Sequence, residues 1–401
     1  MVTGITAYKR RSLMFRILKI GMDVHSTNYT LCAMEPTFGK EERIFGEIQV
    51  APDYKQIICF IESLKMKLGF YDEYIIECGY EAGCLGYTLY HQLTGAGIEC
   101  VILAPTTMFS PQGQRIKTDK RDARLIAQCL CYGTYKSVYI PTGEDDAVKE
   151  YLRMRDDHKI ALKQLKQRIN AFVLRHGYQY DGTKWTNRHV TWLKELDIDP
   201  KYQETLNEYM VSYEEQEAKI ERFDKRIEEI AAEARYQENA KKLACLLGIR
   251  THTALSLIVE TGDFKRFAKG NTYAAFLGLA PGERSSSAKV NRLSISKAGN
   301  KHLRCLLIEA AKGICKGKVG HKSKALRARQ SGQPAEVIAY ADKANIRLRR
   351  KYYKMTRRGK KKNVAVAAVA RELACFVWGM MTGNISIISR AGTSVASACQ
   401  G

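Results

Sequence analysis

Lys117-Thr118-Asp119-Lys120-Arg121-Asp122-Ala123 sets two carboxylates three residues apart among three basic side chains. At helical spacing, positions i and i+3 share a face, so Asp119 and Asp122 point the same way. Anions held together among cations suit a hard divalent metal, which takes oxygen ligands, beside a polyanion. A solvated helix face of mixed charge is the competing reading. Two more carboxylates stand where functional groups collect in α/β folds, at the carboxyl ends of strands. Asp23 ends an apolar stretch at residues 16–24, and Glu81 follows another at Tyr74-Ile75-Ile76, with Glu77 as a nearby competitor. A serine cluster, Ser285-Ser286-Ser287, lies between Gly278-Leu279-Ala280-Pro281 and Ser296-Lys297-Ala298-Gly299-Asn300. It reads either as a plain loop or as a nucleophile flanked by Arg and Lys that stabilise a phosphodiester intermediate.

These groups need a scaffold. Residues 16–24, about 28–35 and about 42–50 read as meander strands, with Pro36 and Gly39 between the second and third. Helical periodicity over 52–69 is followed by a strand at 74–76, a helix from Leu85 to Leu93, a strand at Cys100–Leu103 and a helix to about Tyr132. That order predicts an α/β domain with a mixed sheet. The four carboxylates come from three of its elements and can converge on one metal. From 146 to 176 the pattern becomes one long helix, then a turn-rich connector (177–200) with Trp185 and Trp192, then a second long helix from about 202 to 240. Its Leu206, Tyr209, Tyr213, Ile220, Phe223, Ile227, Ile230 and Ala234 keep heptad-like spacing, which suits a partner helix in the same chain or in another subunit. Leu246-Leu247-Gly248-Ile249 looks like half of a helix-hairpin-helix, with Arg250 in place of the second glycine.

Charge narrows the function classes. Lys plus Arg total 65 against 42 for Asp plus Glu, a formal net charge of +23. That excess suits a polyphosphate partner. The most apolar run, Val364–Met381, is broken by Arg371 and Glu372 and gives no expectation of a membrane span. The 12 cysteines include no Cys-x-x-Cys pair, and Cys59, Cys78, Cys245, Cys305 and Cys375 read as reduced core residues of a cytoplasmic protein. The basic stretch 316–363 interleaves Tyr352 and Tyr353 with Arg349, Arg350, Lys351, Arg357 and Arg358, a composition for tracking phosphates and stacking on bases. The apolar helix that follows implies that this stretch is held against a folded domain.

Seven segments in order resemble the DEDD-type insertion-sequence transposases, the family that includes the Piv DNA invertase. They are Gly21-Met22-Asp23-Val24-His25, Tyr80-Glu81-Ala82-Gly83, the 117–123 stretch, Leu174-Arg175-His176-Gly177, Gly278–Pro281 with its serines, Ser296–Asn300, and Gly359-Lys360-Lys361-Lys362-Asn363-Val364-Ala365-Val366. The resemblance covers about residues 15 to 382. It implies a RuvC-like, RNase H-type domain in which Asp23, Glu81, Asp119 and Asp122 bind Mg²⁺ (or Mn²⁺), a central coiled coil, and a mostly helical C-terminal domain whose serine becomes covalently linked to DNA. It also implies a noncoding guide RNA, a homo-oligomer from dimer to tetramer, and active sites shared between subunits. The family's nucleophile precedes a glycine about five residues past the proline; here that serine is Ser286, with Ser287 in the glycine position and Ser285 or Ser287 as substitutes. The expected organisation is an extension at 1–14 (with Met14 as an alternative start), a RuvC-like domain at 15–145, a helical region at 146–240, a transposase domain at 241–385 and a tail at 386–401. Expected nucleic-acid contacts are Lys117, Lys120, Arg121, Lys297, Arg304, Arg349, Arg350, Lys351, Arg357 and Arg358. Two alternatives stand beside a transposase: a metal-dependent junction nuclease or DNA invertase, and a non-catalytic nucleic-acid-binding protein.

Overall fold

The computed structural model describes residues 16–37, 42–68, 74–109, 118–283 and 292–385. Lys117 and Ser285, Ser286 and Ser287 lie outside the described residues. The chain divides between Ile140 and Pro141 into two compact units.

The first unit is built on a five-stranded sheet. Strands β1 (Arg16–Val24), β2 (Tyr29–Glu35) and β3 (Arg43–Val50) form an antiparallel meander, followed by helix α1 (Tyr54–Leu68), β4 (Tyr74–Glu81), α2 (Thr88–Gly95), β5 (Glu99–Leu103) and α3 (Asp119–Tyr132). The strand order is β3-β2-β1-β4-β5, with β4 parallel to both β1 and β5. The expected mixed α/β sheet is what forms.

Alternation along β1 divides the chemistry by face. Leu18, Ile20 and Met22 are fully buried in a core with Ile57, Ile61 and Leu64 of α1 and Leu89 and Leu93 of α2. Lys19, Gly21 and Asp23 turn the other way, as a period of two requires. Helix α3 lies on that face: a Cβ on Gly21 would come within 2.3 Å of the Ala123 carbonyl and 2.2 Å of the Ala127 nitrogen. Only glycine beneath two buried alanines allows so close an approach. Strand β4 runs on to Glu81, longer than its apolar core suggests, so Glu77, Gly79 and Glu81 all face α3. Tyr80, between them, is buried among α1 and α2 side chains.

The second unit is helical: α4 (Gly143–Arg175), α5 (Asn187–Lys194), α6 (Pro200–Ala232), α7 (Gln237–Ala244), α8 (Thr251–Thr261), α9 (Gly270–Phe276), a small antiparallel pair β6 (Pro281–Glu283) and β7 (Arg292–Ile295), then α10 (Lys301–Cys315), α11 (Lys324–Gln330), α12 (Ala335–Arg357) and α13 (Lys362–Met381). Helices α4 and α6 run antiparallel, since Arg155 pairs with Asp224 while Lys166 pairs with Glu217. The heptad-spaced Leu206, Tyr213, Phe223, Ile227 and Ile230 are therefore covered within one chain. The second long helix stops earlier than its pattern suggests: Glu233 is extended, and Ala234 is exposed. The turn-rich connector holds its own helix, α5, and Trp185 and Trp192 pack against Ile169, Phe172 and Met210.

Helix α13 is long and apolar enough to cross a membrane by composition, yet Val369, Ala370, Leu373, Ala374 and Val377 are fully buried in the core of this unit. Arg371 and Glu372 fall on its partly exposed side. Two cysteine assignments need correction. Cys78 and Cys245 are buried, but Cys59 and Cys305 are exposed, on the solvent faces of α1 and α10. Gly248 has φ +87 and would meet the Ala310 carbonyl at 2.7 Å if it carried a Cβ, so it serves packing against α10.

Candidate active site

Helix α3 starts at the carboxyl edge of the sheet. Thr118 caps it, its hydroxyl accepting from the Arg121 amide, and places Asp119 and Asp122 in the first turn, where the positive end of the helix favours anions. The close approach at Gly21 fixes that turn beside the end of β1. Asp23, His25 and Asp119 each offer a ligand atom, and these atoms lie within 4.8 Å of one another. Burial pushes the Asp23 carboxyl above the usual carboxylate range; His25 opposes this, while the negative charges of Asp122 and Asp119 add to it. Two carboxylates from β1 and α3 thus meet at one edge with an imidazole, and the charge of Asp122 acts on Asp23 from the same helix turn.

Glu81 ends β4 on the same face, exposed, one position beyond the paired Met22 and Tyr80. Glu81 and Asp122 fall outside the 4.8 Å set. The competitor Glu77 is accounted for differently, since Lys19 forms an ion pair with it and the Tyr135 hydroxyl lies 3.4 Å away. His25, which the sequence reading left without a role, sits with its Nε2 3.2 Å from Asp23 Oδ2. Its signal was its place two residues after Asp23, in the same short motif.

Crowded, half-buried carboxylates with an adjacent imidazole fit a divalent cation. Bringing like charges together costs free energy that a cation would offset, and oxygen donors suit Mg²⁺ or Mn²⁺, with His25 able to orient Asp23 from outside.

A family model described as the IS116/IS110/IS902 transposase family matches residues 240–328, and a DEDD transposase model of the IS110 type matches residues 20–177. The transposase for insertion sequence element IS1533 of Leptospira borgpetersenii is 34% identical over 354 residues, 87% of this chain and 99% of that one. The chain belongs to this transposase family. The transposase for element IS1111A of Coxiella burnetii is 26% identical over 352 residues, 84% of this chain and 91% of that one. The transposase is accordingly an enzyme that acts on DNA, with a domain of a divalent-metal-dependent class.

Its expected nucleic-acid contacts separate by burial. Lys120 and Arg121 are exposed at the start of α3, and Lys297 is exposed with φ +58 in the turn before α10. Arg350 and Arg357 are exposed on α12, and Arg358 is exposed just past its end. Arg304 and Arg349 are buried. Arg304 donates to the Leu277 carbonyl at 3.0 Å, and Arg349 donates to the carbonyls of Ile314, Lys318 and His321. Both hold loops together, and their donors face the protein and not a phosphate. Lys351 pairs with Glu372 at 2.7 Å.

The second unit also contains a charged node that no local motif announces. His302, in the first turn of α10, places Nδ1 2.6 Å from Glu260 of α8 and Nε2 2.8 Å from Asp156 of α4. Arg153 grips Glu260 with two hydrogen bonds, Asn300 donates to it at 2.6 Å, and Arg155 and His252 face Asp156 at 3.0 and 3.2 Å. Burial alone disfavours the charged imidazole, but hydrogen bonds to Asp156 and Glu260 overcome it and raise His302 to about 9. Burial likewise disfavours the Glu260 carboxylate, yet His302, Arg153 and Asn300 bring it down to about 2. The node ties α4 and α8 to the Ser296–Asn300 turn, in which a Cβ on Gly299 would strike the Phe276 carbonyl at 1.9 Å.

Because the folded His302 pKa lies above its ordinary 6.5, its stabilisation is complete below that value and is lost as pH rises through 9. Glu260 behaves oppositely, its stabilisation being complete above about 4.5 and lost as pH falls toward 2. A shift of this size in His302 corresponds to about 3 kcal/mol for the node, counted once. Thermal melts of the wild type should therefore lose stability between pH 6.5 and 9 more steeply than melts of His302→Gln. Parallel pH profiles for the two proteins would remove His302 as the charged centre of the node.

Proposed function

We propose that the transposase moves its element by cutting and rejoining DNA through a covalent phosphoserine at Ser286, with Mg²⁺ (or Mn²⁺) held by Asp23, Glu81, Asp119 and Asp122. The convergence of Asp23, His25 and Asp119 at the sheet edge, with the charge of Asp122 acting on Asp23, is the observation that supports it most directly. A divalent ion there supplies charge neutralisation for the non-bridging oxygens and the departing oxygen. The remaining work falls to the chain. Asp23 and the first turn of α3 fix the geometry, His25 orients Asp23, and Lys117, Lys120 and Arg121 bind the neighbouring backbone. Ser286 Oγ forms a bond to phosphorus as the bond to the departing deoxyribose oxygen breaks; Oγ loses its proton, and the departing oxygen gains one. Attack by an incoming hydroxyl reverses the exchange. Each step replaces one phosphate ester with another, so rejoining needs no external energy source.

Wild-type protein incubated with element-end DNA and Mg²⁺ should give a covalent adduct that survives denaturation, absent from Ser286→Ala. Hydrolysed ends with no adduct would instead establish a RuvC-type nuclease.

The reading extends to partners. A net charge of +23 supports a large polyanionic surface contact, and the resemblance to guided members of the family supports a noncoding RNA bound to a dimer or tetramer working in the cytoplasm. Sequencing the nucleic acid that co-purifies with the protein should return one discrete transcript encoded beside the transposase gene. A random sample of cellular RNA would count against guidance.

A further inference from the structure

Helix α12 divides its cations between two uses. Arg347 and Lys351, four residues apart, both pair with Glu372 of α13, and Arg349 is buried on backbone carbonyls. Arg350, Lys354 and Arg357 follow at four- and three-residue spacing along one stripe, with Arg358 beside them. All four are exposed, and none forms an ion pair among the described residues. With Tyr353 and Val319 they line a cavity of about 350 Å³, and no acidic side chain lines it.

The cavity has a fixed wall. Tyr353 donates its hydroxyl to the Gly317 carbonyl at 3.0 Å, and its ring meets Tyr352 edge-on at 5.5 Å between centroids. Val319, at 41% exposure, adds an apolar surface. An aromatic ring held by its hydroxyl beside uncommitted guanidinium groups matches what an unpaired nucleotide needs: a π-face for the base and cations for the phosphates on either side. A paired base cannot enter such a recess without leaving its stack. Lys360, Lys361 and Lys362 continue the basic surface past the end of the helix.

We propose that this recess binds an unpaired nucleotide of a DNA strand, with the base against Tyr353 and the flanking phosphates on Arg350, Arg357 and Arg358. A DNA-processing enzyme separates strands during exchange, so such a strand segment is a natural ligand. The proposal rests on DNA as the substrate and not on the phosphoserine step, and its test involves no cleavage.

Anisotropy titrations of the full-length protein with a labelled oligothymidylate across a salt series read the two contributions separately. Arg350→Ala/Arg357→Ala/Arg358→Ala should lower the slope of log K against log salt by about 2, three contacts at roughly 0.7 each. Tyr353→Leu should weaken binding roughly ten-fold at every salt concentration with the slope unchanged, and Tyr353→Phe, which keeps the ring but loses its tether to Gly317, should weaken it by less. If Tyr353→Leu does not fold, the arginine variant alone decides, because its three sites are on the surface. An unchanged slope overturns the proposal. So does a loss confined to duplex DNA or to RNA of the same length.

Discussion

Ser286→Ala should leave the transposase able to bind element-end DNA but unable to form a covalent adduct, with recombination lower by on the order of 10³-fold or more. The size follows from chemistry. Alanine has no atom to attack phosphorus, and water in its place gives a hydrolysed end and not a strand that can be rejoined. Ser285→Ala and Ser287→Ala, made in parallel, should keep at least part of the adduct, because neighbouring hydroxyls contribute hydrogen bonds and not the bond itself. The three variants separate one nucleophile from a serine-rich loop that merely cradles phosphate. Adducts at full level in Ser286→Ala, and their loss in Ser285→Ala or Ser287→Ala, would transfer the role to that neighbour. Persistence in all three would end the phosphoserine reading.

The α/β half was legible because burial there is periodic. The apolar run of Leu18, Ile20 and Met22 marked a strand ending near Asp23; which face Asp23 takes depends on where α3 packs, and that is a tertiary matter. The extent of β4 was less readable: Cys78, Gly79 and Tyr80 carry no strong strand signal, and parallel pairing to β1 holds them extended. The end of α6 was missed for a related reason. Ile230 and Ala234 keep helical spacing across the break, and tertiary packing of Tyr236, buried and bonded to Asp145 at 2.7 Å, redirects the chain there.

Charged residues were harder still. Arg349 and Arg350 are adjacent and look alike in composition, yet one is buried and the other exposed. A signal existed, since Ala341, Asn345 and Arg349 are spaced by four beside Ala344 and Leu348, which marks Arg349 as inward-facing. The node of Asp156, Glu260 and His302 had no such signal. Its members come from three helices, with His302 42 residues from Glu260 and 146 from Asp156, and only folding brings their charges within hydrogen-bond reach.

Asp119→Asn is the more searching test of the metal edge because it has two readouts with opposite signs. Strand exchange should fall by more than about 10²-fold, since an amide oxygen is a far weaker ligand than a carboxylate for a hard cation. Without divalent ions, however, the variant should melt at the same temperature as wild type or higher. Asp23, Asp119 and Asp122 repel one another across a half-buried site, and removing one charge relieves that repulsion. Adding Mg²⁺ should raise the melting temperature of the wild type, as any ligand specific to the folded state does, by an amount equivalent to about 2.7 kcal/mol at a hundred times the dissociation constant. The variant should show little of that gain. A protein that merely unfolds would lose activity and stability together, whereas a lost metal ligand separates them. Equal Mg²⁺-dependent stabilisation in both proteins would remove Asp119 from the metal site, even if activity were lost.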